Sequence, residues 1–267
     1  MSTTSAKRLG AMSPKGRLTL DPLAGYVHAN LLFDSSLCST SLPRNFRFRA
    51  SCLRCLPFSP SATSAFMTEI ADRAFNHDHT GITALQPPLH ASPSPPVVPK
   101  GFRVNARRQL LGTGQKVYDR AVREGLRERG VVNRLSWANL EVASPDSRRW
   151  REGMGMLTVV KCYGFLWAAN PCRIVYAHWD RKLPRELGKG RCSSVAFSTV
   201  VGHLIEGEER FSVEFREQDS SVWLDLYSVS RGSGVLGKVA MPFIRQLQKE
   251  FFAGQCREML DLVKEDC

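Results

Sequence analysis

From residue 135 to residue 230 the chain offers one apolar run of strand length after another, with no helical periodicity between them. The runs cover 137–142, 154–167 (long, with a bend at Gly164), 173–179, 194–204, 210–216 and 222–230. Turn-forming residues separate them: Pro145-Asp146, Asn170-Pro171, Pro184 with Gly188 and Gly190, Gly207, and the stretch 218–221. Parallel strands need long crossovers, usually helical, so strands joined this closely read as an antiparallel meander.

Helices are expected only at the two ends of this block. Residues 102–111 read as a strand, and Gly112-Thr113-Gly114 turns it into a helix over 115–129 with Val117, Tyr118, Ala121, Val122 and Leu126 on one face. A strand, Gly-x-Gly and a helix invite a dinucleotide-binding reading. Val117 stands where the third glycine belongs, and no βαβ repeat follows, which removes it. The chain closes on a helix over 242–264. Its apolar residues Phe243, Ile244, Leu247, Phe251, Phe252, Met259, Leu260 and Val263 need a broad apolar surface to cover them. The expected fold class is therefore α+β: a curved antiparallel sheet of six to seven strands gripping a long C-terminal helix. This order resembles helix-grip (START-like) domains, and by that resemblance implies a cavity between sheet and helix.

The charge of +12 is unevenly placed. Residues 1–66 hold eight Lys/Arg against Asp21 and Asp34, half the excess in a quarter of the chain. The folded remainder is only mildly basic, which argues against a nucleic-acid partner. No apolar run reaches the ~18–20 residues that span a bilayer, so no integral membrane segment is expected. Residues 1–66, Arg- and Ser-rich and poor in acid, read as a disordered extension with the composition of an organelle transit peptide. Chloroplast import is expected; the alternatives are a mitochondrial destination, or a cytoplasmic protein started at Met67. Residues 67–100 form an arm and Pro-rich linker, and 101–267 the helix-grip-like domain. The eight cysteines are scattered, and Cys52-x-x-Cys55 lacks a second ligand pair for zinc. His77 and His79, two apart, lack a third ligand and read as an exposed loop. No metal or cofactor is expected, and no segment specifies an oligomeric state.

One stretch carries a pattern of its own: Thr199, Gly202-His203, Gly207-Glu208-Glu209, Phe211 and Val213-Glu214. It resembles a family of bacteria and plants, the domain of unknown function numbered nineteen-ninety. Further pieces fit in order: Phe75-Asn76 with Gly81 and Thr83, Gly101-Phe102, the run 111–114, the run 173–176, Trp223 with Ser230-Arg231, and Pro242 with Gln248, Phe251 and Phe252. The likeness covers about residues 75–263. The chain departs from the pattern at His77, at Phe197-Ser198 and at Gly232. The resemblance implies no reaction.

The candidate site follows from residue chemistry. With Gly207-Glu208-Glu209 read as a turn, a hairpin would return Glu208 or Glu209 to His203. A carboxylate beside an imidazole raises its pKa and gives an acid/base pair. No nucleophile motif accompanies these three catalytic candidates. Arg173, Tyr176, His203 and Trp223 are the candidates for lining a ligand pocket, where a fork and amphipathic rings orient a polar end. The favoured function is binding of a small apolar or amphipathic molecule between sheet and helix. The alternative is an enzyme using His203 with Glu208 or Glu209.

Overall fold

Arg103–Thr113 (β2) pairs with Ser221–Gly232 (β7), and the sheet continues through Ile205–Arg216 (β6) and Gly190–Thr199 (β5) to Leu166–Lys182 (β4). Gly155–Cys162 (β3) pairs with the first half of β4, and the two-residue strand Leu53–Arg54 (β1) pairs with Trp167 and Ala168 of β4. All these pairings are antiparallel. The computed structural model describes residues 53–54, 69–70, 72–85, 98–127, 150–162, 166–183 and 188–264. The strand expected over 137–142, the Cys52/Cys55 pair and all of 1–66 except Leu53 and Arg54 lie outside the described residues.

Two helices complete the order. Gln115–Arg120 (α1) runs on as a π-helical segment, Ala121–Arg127. Gly234–Lys264 (α2) is 31 residues long and packs across β7 and β2. The fold class is as expected: a curved antiparallel sheet holding a long C-terminal helix.

The differences from expectation are local. The long strand expected over 154–167 is a hairpin, in which β3 folds back on β4 through Cys162↔Leu166. Asn170-Pro171 does not turn; β4 runs straight through it. The Pro171 carbonyl accepts from Val200, so the donor that Pro171 lacks would point to the same side. There β5 has already ended at Thr199, so proline costs the ladder little. The last helix starts eight residues before Pro242, which lies exposed inside it.

Alternation sorts the strands into two faces. On the inner face Val195, Phe211, Leu224 and Leu226 pack with Phe252, Cys256, Met259 and Leu262 of α2 in one core. The outer face is also covered. Phe102, Tyr227 and Val229 cluster with Ile82 and Val98 there, and Phe75 joins Leu157, Val159 and Trp167 further along. The segment 75–85 thus acts as an arm over the back of the sheet. With both faces covered, Ser212 and Glu214 of β6 are as buried as Phe211 and Val213.

Candidate functional site

The reversal that opens β6 sits earlier than the sequence suggests. Val201 and Gly202 make the turn, Gly202 at φ 110° where a side chain would be strained. Gly207, Glu208 and Glu209 are already in the ladder, opposite Ser230, Val229 and Ser228 of β7 in that order. A Cβ on Gly207 would collide with the Val229 carbonyl oxygen and with Ser230. The glycine therefore marks a close strand approach and not a turn.

Placing Gly207-Glu208-Glu209 in a strand sends the two glutamates to opposite faces. Glu208 turns outward to the arm. It accepts from the Gly81 amide at 2.6 Å, the Thr83 amide at 2.9 Å and the Thr83 hydroxyl at 2.5 Å. Burial pushes its carboxyl above the usual range, opposed by those hydrogen bonds and by Arg210. Glu209 turns inward, to a cavity between the sheet and α2. A pair of His203 with Glu208 is thereby ruled out, because the sheet lies between them.

The cavity has a volume of about 170 Å³. Ile244, Leu247 and Phe251 of α2 wall one side, and Val160, Ala168 and Phe197 of the sheet the other. Its polar groups are few: Glu209, His203, Gln248, Asn170 and Thr158. Glu209 retains some exposure, and it lines this cavity. Burial raises its pKa to about 8 with no opposing partner, so the carboxyl is protonated at neutral pH.

His203 also lines the cavity and is only 7% exposed. Its Nδ1 accepts from the Ile205 amide at 3.0 Å, so the neutral ring carries its proton on Nε2. Burial lowers its pKa to about 3. A ring held neutral to that pH cannot serve as an acid/base group near neutrality, which corrects the role expected for it. His203→Asn tests this placement. The folded protein keeps the ring neutral while the unfolded chain takes up a proton below about 6.5. Stability from the neutral ring is therefore complete above that value and is lost as the pH falls toward 3. Asparagine offers Oδ1 in place of Nδ1 and does not titrate. The acid-unfolding midpoint, followed by circular dichroism, should move to lower pH; an unchanged midpoint would mean the ring is solvated.

Arg173, Tyr176 and Trp223 do not line the cavity; they lie on the outer face. Arg173 stacks over Phe75 at 4.1 Å, and the Tyr176 hydroxyl lies 2.8 Å from the Thr83 hydroxyl. Trp223 lies beneath the Arg108 guanidinium at 4.7 Å. These contacts join arm to sheet or strand to strand. Sequence reasoning overlooked what binds them together. Arg210 donates to the Thr83 carbonyl at 2.6 Å and to Asp225 at 3.0 Å, and Arg108 donates to Glu214 at 2.8 Å. The alternation of Glu208, Arg210, Ser212 and Glu214 with Phe211 and Val213 reads as a solvent-facing side, so the sequence carried no local signal of this second buried face. His77 is also part of the arm's anchorage and is not an exposed loop residue. Its Nε2 donates toward Ser198 Oγ at 2.7 Å, and its Nδ1 accepts from the His79 amide at 3.1 Å. Cys172 faces the cavity as a thiol whose pKa burial pushes up. Among the described residues no cluster of His, Cys, Asp or Glu could hold a metal ion, and no helix is long and apolar enough to cross a membrane.

Strand, helix, antiparallel meander and a long closing helix over a cavity define a helix-grip protein. Residues 87–258 match the domain of unknown function (DUF1990), and the chain belongs to that family. It is 27% identical over 154 residues to a UPF0548 protein of Arabidopsis thaliana, covering 57% of this chain and 68% of that one. A UPF0548 protein of Deinococcus radiodurans is 25% identical over 198 residues, 72% of this chain and 89% of the other. Among solved structures, norcoclaurine synthase from Thalictrum flavum aligns over 61% of this chain and 95% of its own, at 12% identity and TM-score 0.40. A Streptomyces aromatase/cyclase aligns over 61% and 94%, at 9% identity and TM-score 0.39.

Proposed function

We propose that the protein binds a small, largely apolar molecule between the inner face of the sheet and α2. The observation that carries this reading is the cavity itself, with side chains such as Val160, Phe197, Leu247 and Phe251 turned into open space. Interiors are normally packed without voids of this size, and an apolar cavity of about 150 Å³ takes up a molecule such as benzene. The arm contributes by covering the back of the sheet and leaving the inner face to the ligand.

Organic extraction of the purified protein followed by mass spectrometry tests for a carried ligand, and displacement of an apolar fluorescent dye tests for an accessible site. Leu247→Trp, which fills the cavity from α2, should abolish dye binding while the melting temperature stays within a few degrees. A dye that binds wild type and the filled variant equally would place the binding elsewhere and defeat the reading.

A further inference from the structure

Among the described acids on the two faces of β6 and β7, Glu209 is the exception, partly exposed in the cavity wall. Glu208 has Gly81 and Thr83, Glu214 has Arg108, and Asp225 has Arg210 and Arg108. Among the described residues no donor or cation meets the Glu209 carboxyl. Its cross-strand neighbour Ser228 lies closer to the Asn105 carbonyl, at 3.4 Å. Among the other polar groups on the sheet side, Thr158, Asn170 and His203, the His203 ring offers Nε2–H as a neutral donor. A carboxyl partly withdrawn from water and without a protein partner gains from a hydrogen bond to a bound molecule.

We infer that the ligand is a neutral molecule, an apolar body the size of a substituted benzene bearing one acceptor oxygen such as a ketone, and that this oxygen accepts a hydrogen bond from the Glu209 carboxyl group. The inference rests on the proposed function and adds the ligand's chemical class. Three features carry it. The volume fits a body of that size. The walls are apolar around a carboxyl that the protein leaves unpaired, and an apolar site holds a carboxylic acid neutral so that it donates. A cation there would create an ion pair with two desolvation costs to offset in a mostly apolar site. Two other lining groups titrate, His203 and Cys172, and both are neutral near pH 7, the ring because burial depresses its pKa and the thiol because burial raises it. α2 presents Ile244, Leu247, Gln248 and Phe251, none of which titrates.

Three probes with one carbon skeleton test the inference on the full chain: ethylbenzene, acetophenone and 1-phenylethylamine, titrated calorimetrically at pH 6.5 and pH 9. Acetophenone should bind about tenfold more tightly than ethylbenzene at pH 6.5, the value of one good hydrogen bond. The advantage should shrink at pH 9, where Glu209 ionises and ceases to donate. It should vanish in Glu209→Leu and survive in Glu209→Gln, whose amide still donates. Equal affinity for ethylbenzene and acetophenone would overturn the oxygen anchor and leave the cavity reading standing. Tightest binding of the amine, growing at pH 9, would overturn it in favour of a cation site. Failure of all three probes to bind would overturn both the inference and the proposed function.

Discussion

Glu209→Gln is expected to leave stability nearly unchanged at pH 4.5 and to raise the melting temperature progressively above it. The folded-state pKa of Glu209 is about 8, raised by burial from an ordinary value near 4.5. Below 4.5 the acid is protonated in both states and contributes no difference. Between 4.5 and 8 the unfolded chain gains from ionising and the folded chain does not, so stability falls as the pH rises. At 1.36 kcal/mol per pKa unit the wild-type cost reaches about 3 kcal/mol at pH 7, and water entering the cavity would reduce it. For a chain of this size that corresponds to roughly 6–12 °C. Glutamine keeps the shape and removes the titration. Thermal melts of both proteins at pH 4.5, 6 and 8 decide the matter. A gap that stays flat across this range would show a carboxyl in contact with bulk water.

The neighbouring substitution should act in the opposite direction. Glu208→Ala removes the acceptor of two amides and one hydroxyl in the arm, and leaves Gly81 and Thr83 with unpaired donors in a covered site. Bonds to a charged group contribute about 1.5–3 kcal/mol, and abandoned buried donors add to the loss. A destabilisation of about 4 kcal/mol is expected. It should come with faster hydrogen exchange at the Gly81 and Thr83 amides, because Glu208 holds the arm to the sheet. A loss below 1 kcal/mol, or exchange unchanged at those amides, would mean that the apolar contacts of Phe75, Ile82 and Phe102 secure the arm without it.

The architecture was legible because it rests on period and order. The meander, the strand-to-helix start and the long final helix all left their hydrophobic pattern in the sequence, and each is present in the fold. The errors fell on residues whose usual behaviour is overridden by surroundings. Gly207 and the two glutamates resemble a turn, yet Gly207 is needed for the close approach to Val229, and Glu208 is buried on the donors of the arm. Pro171 resembles a break, but it falls where a strand partner ends. The outer face was missed because a covering arm is a tertiary fact: nothing local to Glu208 says that Thr83, 125 positions away, will bond to it. The cavity residues were half visible. His203 and Glu209 could be singled out as unusual, but Leu247, Phe251 and Phe197 look like any core residues until their neighbours are known to fall short of them. Arg173, Tyr176 and Trp223 were plausible as a pocket rim on chemistry alone, and alternation along β4, with its bulge, and along β7 placed them on the other side.

Two adjacent glutamates on opposite faces of β6 set a trap for anyone engineering this protein. Glu209 is the kind of position that stability-guided design selects first, because almost any neutral replacement relieves a cost that the fold carries at neutral pH. The same replacement, if apolar, strips the cavity of its one unpaired acid. Glu208, one residue away, offers no such gain, and its loss would loosen the arm. A stabilised variant could therefore pass every test of folding and have lost the group on which the proposed ligand contact depends. The safer targets for stabilisation lie on the exposed side of α2, at Val235, Val239 and Phe243.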